Sequence, residues 1–129
     1  MTRMSLTAKL HPAVTALLVI DLQNDFCSPA GLMASMGKDV SGMDTLIEQI
    51  KALASACDQA GIPVFYMQQR YDRTKLTALQ KEQYDLDGKM VVCDIQGEGH
   101  KFYKINPLPT ECFRNIPTMP FLIRGSSKS

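Results

Sequence analysis

The sequence predicts an α/β fold built on a parallel sheet, and three stretches predict it. Residues 16–20, ALLVI, form a short, partly β-branched apolar run, the composition of a strand buried on both faces of a parallel sheet. Residues 41–60 repeat apolar side chains at helical spacing. Residues 62–68, IPVFYMQ, are a second strand-like run. Strand, helix and strand make a βαβ unit, whose two strands run parallel and bring their carboxyl ends to one rim.

Composition narrows the function classes. A chain of 129 residues makes one domain at most, and with 45% hydrophobic residues it can bury a core. A net charge of +1 creates no field of the kind that recruits nucleic acid or an anionic membrane surface. No run approaches the roughly 20 apolar residues of a membrane span. Cys27, Cys57, Cys93 and Cys112 form no C-x-x-C pair, the usage expected of a reducing, cytoplasmic compartment. Arg3 and Lys9 precede an apolar octet, residues 13–20, in crude likeness to a signal peptide. No small-residue cleavage site follows and Asp21 closes the octet, so residues 1–11 read as a polar, mobile lead-in.

Along the chain, the first strand gives out within one residue. Asp21 ends it, and Gln23, Asn24 and Asp25 follow. Ligands of open α/β sheets sit beyond the carboxyl ends of the strands, so Asp21 is either a site carboxylate or the cap of a turn or helix. Residues 27–39, with Ser28, Pro29, Gly31 and Gly37, read as a loop over a site. In the helix, Met43, Leu46, Ile47, Ile50, Leu53, Ala54 and Cys57 form the apolar stripe, Leu46, Ile50 and Leu53 being expected on the sheet. Ser41 with Asp44 resembles a capping box. Gly61 suits a left-handed stop, and Pro63 prevents continuation.

The second strand ends at Gln68-Gln69-Arg70, on the same rim as Asp21, where Arg70 is either a bidentate carboxylate ligand or a surface arginine. Residues 73–85 are polar, with a short helix turning Leu76 and Leu79 inward. Residues 91–95 read as a short edge strand or extended loop, and Gly97-Glu98-Gly99-His100 as a turn that matches no phosphate-loop pattern. Residues 101–109 end in proline-restricted backbone. From residue 110 the chain changes character, with Pro117 and Pro120 breaking any helix and residues 119–123 compatible with a strand.

The string VIDLQNDFCSPAGLM, residues 19–33, resembles the opening of the isochorismatase-like cysteine hydrolases, which include nicotinamidases, ureidoacrylate and biuret amidohydrolases and isochorismatase. The likeness is close over residues 15–33 and looser to about residue 109. It implies a Rossmann-like doubly wound parallel sheet of about six strands. Here that sheet is truncated to the first βαβ unit plus a partial remainder. Residues 12–109 would then be the N-terminal part of the hydrolase domain and residues 110–129 a divergent, poorly ordered tail.

The resemblance also implies a chemistry: hydrolysis of a small amide or ureido C–N bond by an Asp, a Lys and a Cys. The thiolate attacks the carbonyl, the Asp takes the thiol proton, and the Lys favours the thiolate. Of these, Asp21 maps as catalytic residue, with Gln23 and Arg70 as substrate-binding candidates. The family lysine follows the N-P-L-P-like segment in a K-x-R-Y-S-x-F context. This chain reads TECFRNIPTMPFLIRG there, and none of its cysteines has the G-V-x-T-N-x-C-V context of the nucleophile. Cys27 is near Asp21 in sequence but lies in the first loop. The D-x-H metal motif of nicotinamidases is replaced by Gln69-Arg70-Tyr71-Asp72, and His11 and His100 lack ligand spacing, so no metal or other cofactor is expected. The expected partner is a small-molecule amide. An exposed sheet edge also invites pairing with another chain, a homo-oligomer included. The alternatives are a non-catalytic variant that binds a small ligand or pairs with a full-length relative, and an unrelated α/β domain using Asp21 as a metal or phosphotransfer carboxylate. The D-x-D-x-[TV] signature of the last is not met, because Gln23 takes the third place.

Overall fold

The structure, a computed structural model, describes residues 3–87 and 90–115. A short helix α1 (Leu6–Lys9), capped by the Ser5 hydroxyl, and a 3₁₀ turn at Pro12–Val14 lead into β1 (Leu17–Ile20). Two single-turn helices follow, α2 (Asn24–Cys27) and, in the stretch expected to be loop, α3 (Leu32–Ser35). The long helix α4 (Met43–Ala60) returns the chain to β2 (Val64–Gln69). Helix α5 (Ala78–Asp87) and a strand β3 (Cys112–Asn115) complete the elements. The strands form one parallel sheet in the order β1-β2-β3. A mixed α/β fold on a parallel sheet is therefore present. β3 lies within the stretch read as a divergent tail, and the strand considered at residues 119–123 falls outside the described residues.

The core sits between α4 and one face of the sheet. Val19 and Val64 meet Ile47, Ala54 and Cys57 there, and Ile47 is fully enclosed. The helix ends as its sequence requires. Gly61 is left-handed at φ 75°, its N–H donates to the Asp58 carbonyl, and the Ile62 N–H reaches back to Cys57 at 2.8 Å.

Five expectations are corrected. β1 is buried on one face only. Leu18 pairs with Phe65 and Ile20 with Met67 on the face away from α4, and Leu18 and Ile20 are 53% and 60% exposed. In register, aligned partners share a face, and α4 covers the other one. β1 consequently stands at an edge of the described sheet, with β2 in the middle.

The buried stripe of α4 is narrower than its sequence pattern. Met43, Ile47, Ile50, Ala54 and Cys57 face the sheet, while Leu46 and Leu53 are largely exposed, because a single contacting layer engages only part of the apolar arc. Leu79 of α5 is likewise 75% exposed rather than inward.

The Ser41–Asp44 capping box does not form. The Ser41 N–H donates to Asp39, and the Asp44 carboxylate accepts from Lys104 Nζ at 2.9 Å and Tyr103 Oη at 2.8 Å. These two donors, Lys104 foremost, hold the Asp44 carboxyl below its usual range. Finally, residues 91–95 are a turn with one parallel bridge, Tyr71 to Asp94, and not a strand.

These burial differences predict a contrast within one helix. Ile47→Ala should cost about 2–5 kcal/mol of unfolding free energy, the range for emptying a buried aliphatic site. Leu53→Ala should stay within about 0.5 kcal/mol, as at a surface position. Urea denaturation of the two variants beside the parent chain reads both.

Candidate functional site

The backbone turns sharply where β1 ends. Asp21 donates its N–H to the Met67 carbonyl at 3.1 Å, completing the ladder, and then adopts φ 60°. Few side chains tolerate that left-handed state, and Asp is among them. Its carbonyl then accepts from the Gln23 N–H at 2.9 Å. The half-buried Asp21 thus stands at the carboxyl end of β1, on the rim where a parallel sheet presents ligands.

Gln23 is completely buried. Its Nε2 donates to the carbonyls of Gln69 and His100, both at 2.7 Å, and its Oε1 accepts from the Gln69 N–H at 2.9 Å. The amide therefore completes the backbone pairing of β2 at its last residue and ties in the loop around residue 100. Asn24 and Asp25 extend the same seam. The Asn24 N–H meets the Lys101 carbonyl, its side-chain amide meets the Glu98 carbonyl, and the Asp25 N–H meets the Gly99 carbonyl. The Asp25 carboxylate accepts from Leu32 N–H at 3.1 Å and Cys93 N–H at 2.7 Å. It also lies so close to Gly99 that a Cβ there would overlap it, so only glycine fits that position. The Q-N-D triplet holds three loops against one turn.

Arg70 occupies a different place on the rim. It lines a cleft of about 500 Å³ with Gln68, His100, Lys101, Phe102 and Ile105. Asp21 and Gln23 do not line that cleft, although Gln23 touches its floor through the His100 carbonyl. Gln68, His100, Lys101 and Asn106, none of which the sequence singled out as site residues, are the polar residues that line it with Arg70. The only sequence signal for Gln68 is its place at the end of a strand. His100 carries none, because it arrives from a loop without periodicity. Among the described residues no three His, Cys, Asp or Glu side chains converge as a metal site.

The thiols nearest the turn are not activated. Burial raises the Cys27 pKa, against a backbone hydrogen bond with Gln23 that lowers it, and the negative charge of Asp21 raises it further. Cys93, fully enclosed at φ 53°, is pushed up much more, by burial first and then by Asp25, Asp21 and Cys27. A reactive thiolate needs the reverse, a cationic and partly open setting.

Two outcomes follow from this geometry. Gln23→Leu should lower unfolding free energy by about 2 kcal/mol or more in urea denaturation, since each buried group left unpaired costs about 1–3 kcal/mol. In the folded chain at neutral pH, iodoacetamide should modify the partly exposed Cys112 well before Cys27 or Cys93. Peptide mass spectrometry with and without urea checks this, and labelling of Cys93 at the rate of Cys112 would contradict the burial described.

Comparison with known proteins places the chain in a family. The family model described as Isochorismatase domain matches residues 15–114. Ureidoacrylate amidohydrolase RutB of Methylobacterium radiotolerans is 43% identical over 63 residues, covering 49% of this chain and 24% of the relative. The protein of the same name from Caulobacter segnis is 39% identical over 63 residues, 49% of this chain and 26% of the relative. That from Agrobacterium fabrum is 35% identical over 69 residues, 54% and 30% of the two chains. The chain thus matches 24–30% of the length of these curated relatives. No helix among the described residues is long and apolar enough to cross a membrane. With the family model spanning residues 15–114, including Asp21, its turn, β1, β2 and most of β3, the chain belongs to the isochorismatase family.

Proposed function

We propose that this chain carries the N-terminal part of a hydrolase acting on a small amide or ureido C–N bond, with Asp21 as the proton acceptor. The observation that carries the reading is the family match through an Asp held at the carboxyl end of a parallel strand. In that mechanism Asp21 takes a proton from an attacking thiol, which then adds to the carbonyl carbon. Backbone N–H groups would hold the oxyanion, commonly the largest single contribution. Gln23 supports the turn that positions Asp21, and Arg70 engages the polar end of the substrate. No cofactor is required. The relatives' printed name, ureidoacrylate amidohydrolase, makes a ureido acid the first substrate to test. Residues 12–109 are the working unit of this reading, a Rossmann-like sheet reduced to its first βαβ unit and a partial remainder, in a cytoplasmic protein.

The sequence motifs favour a second reading. After Pro109 the residues do not match the family's lysine segment, and no cysteine has the nucleophile's context. In that reading the chain is non-catalytic, binding a small ligand or pairing with a full-length relative. The largely exposed Leu18 and Ile20 on the open sheet face are compatible with pairing.

One assay tests whether the chain by itself turns over such a substrate. Purified chain is incubated with ureidoacrylate-like, biuret-like and nicotinamide substrates beside Asp21→Asn and Cys27→Ser. The expected result is no turnover above background. Turnover abolished in both variants would instead make Cys27 the nucleophile and the chain a complete enzyme. Turnover that survives both would come from a contaminant or an unrelated site.

A further inference from the structure

We propose that the open edge of β1 is the interface of a twofold dimer of this chain. In it, β1 pairs antiparallel with β1 of a second copy, and the two α4 helices pack side by side. The partner is an identical chain, not the full-length relative considered above, and the pairing does not depend on turnover.

The backbone of β1 is only half used. Leu17 donates its N–H to the Pro63 carbonyl and Asp21 donates to the Met67 carbonyl. Leu17, Val19 and Asp21 thus turn their backbone groups toward β2. Alternate residues of a strand bond to opposite neighbours, so Leu18 and Ile20 direct their N–H and carbonyl groups outward. Among the described residues no strand lies on that side. In an antiparallel pair centred on Val19, Leu18 stands opposite Ile20 of the second copy, and residues so placed exchange both backbone hydrogen bonds. The same register sets the exposed side chains of Leu18 and Ile20 beside one another on the face away from α4.

Helix α4 carries a matching flank. At about 100° per residue, its charged residues Asp44, Glu48, Lys51 and Asp58 all fall in one narrow arc. Asp44 binds Tyr103 and Lys104, and Lys51 and Asp58 line a cleft with Tyr66, Lys104 and Glu111, so this arc lies toward β3. Leu46, Gln49, Leu53, Ala56 and Ala60 occupy the other flank, on the side of the β1 edge. They are exposed and uncharged, and they alternate at spacings of three and four residues. That spacing is the seam along which helices pair, and depletion of charge marks the core of an interface.

Edge and flank fit one symmetry operation. A twofold axis through Val19, perpendicular to the sheet, keeps both α4 helices on the same face and runs them antiparallel. α4 packs on both β1 and β2. With strands about 4.8 Å apart, the two α4 axes then lie about 10 Å apart, against roughly 8–10 Å for packed helices. The strand pairing by itself therefore brings the two flanks together. A second copy is the occupant because edge and flank are each complementary to themselves under this axis. The net charge of +1 gives two copies little to repel. Packing two open sheet faces on one another would leave the outward backbone groups and the α4 flank uncovered.

Sedimentation equilibrium of the full chain tests the assembly, and amide hydrogen exchange read by NMR locates it. The chain should pass from monomer to dimer over about 1–200 μM, as small interfaces do. Leu53→Glu, at an exposed position, should keep the parent circular dichroism and stay monomeric throughout. Ser55→Glu, on the charged side of α4, should leave the dimer unchanged. The Leu18 and Ile20 amides should exchange about tenfold or more slowly in the dimer than in Leu53→Glu. A chain still monomeric at the highest concentration, a dimer that survives Leu53→Glu, or Leu18 and Ile20 amides that exchange equally fast in both would each overturn the interface. Assembly beyond the dimer would overturn it too, because a twofold pair consumes both β1 edges. No step involves turnover, so failure of the hydrolase reading leaves this result intact, and the reverse also holds.

Discussion

The side-chain amide of Gln23 is the contact on which the geometry of the rim depends. It satisfies both the N–H and the carbonyl of Gln69, 46 positions away in sequence, and the carbonyl of His100, 77 positions away. A backbone group sealed from water without a partner is costly. At the end of β2 no neighbouring strand supplies that partner on the β1 side, because β1 has already turned away at Asp21. Gln23 therefore acts as one more rung of the sheet, made from a side chain. Its burial among backbone groups explains why a polar residue can sit in the centre of this turn.

That rung determines what Asp21 and the loop at residues 98–103 can do. With Gln23 pinned, the left-handed backbone of Asp21 is held from both sides, by the Met67 carbonyl before it and the Gln23 N–H after it. Strained backbone of this kind persists only where its surroundings over-determine it. The same residue pulls His100 against β2, and Asn24 and Asp25 secure the neighbouring carbonyls of Lys101, Glu98 and Gly99. The loop then contributes one wall of the Arg70 cleft, so the first turn of the chain shapes a cleft whose cation stands just past the second strand.

What the sequence could show followed from periodicity. The β1-α4-β2 unit was legible because its apolar residues repeat with strand and helix spacing, and the stop at Gly61 because a left-handed residue was required there. The family was legible in residues 19–33, since Q-N-D and the neighbouring glycine are packing requirements rather than surface choices. The face of α4 was only half legible. Seven apolar positions define an arc, but which part of it is covered depends on what lies opposite, and Leu46 and Leu53 meet no covering layer among the described residues. The tertiary competitor defeated the local signal at Asp44 too, where Tyr103 and Lys104 displaced a capping box. His100 and Gln68 were invisible as site residues because they are brought together by hydrogen bonds between segments 32 positions apart, and loop residues 90–105 carry no repeat from which such a meeting can be inferred.

Charge distribution sets the order of events the rim can support. Around the turn, Asp21 and Asp25 lie near Cys27 and Cys93, and burial together with carboxylate charge holds both thiols protonated. A carboxylate base can remove a thiol proton only if the thiolate it creates is stabilised, and that stabilisation requires a positive charge close by. Arg70 lines a cleft that Asp21 does not. The described residues thus place the Arg70 cleft apart from the Asp21 carboxylate, with the Gln23 rung between them. A ligand can be held and oriented in such a cleft without being attacked. For attack, a cation and an open thiol would have to be brought to the Asp21 side of the rung, and the groups nearest that side are buried, neutral sulfur.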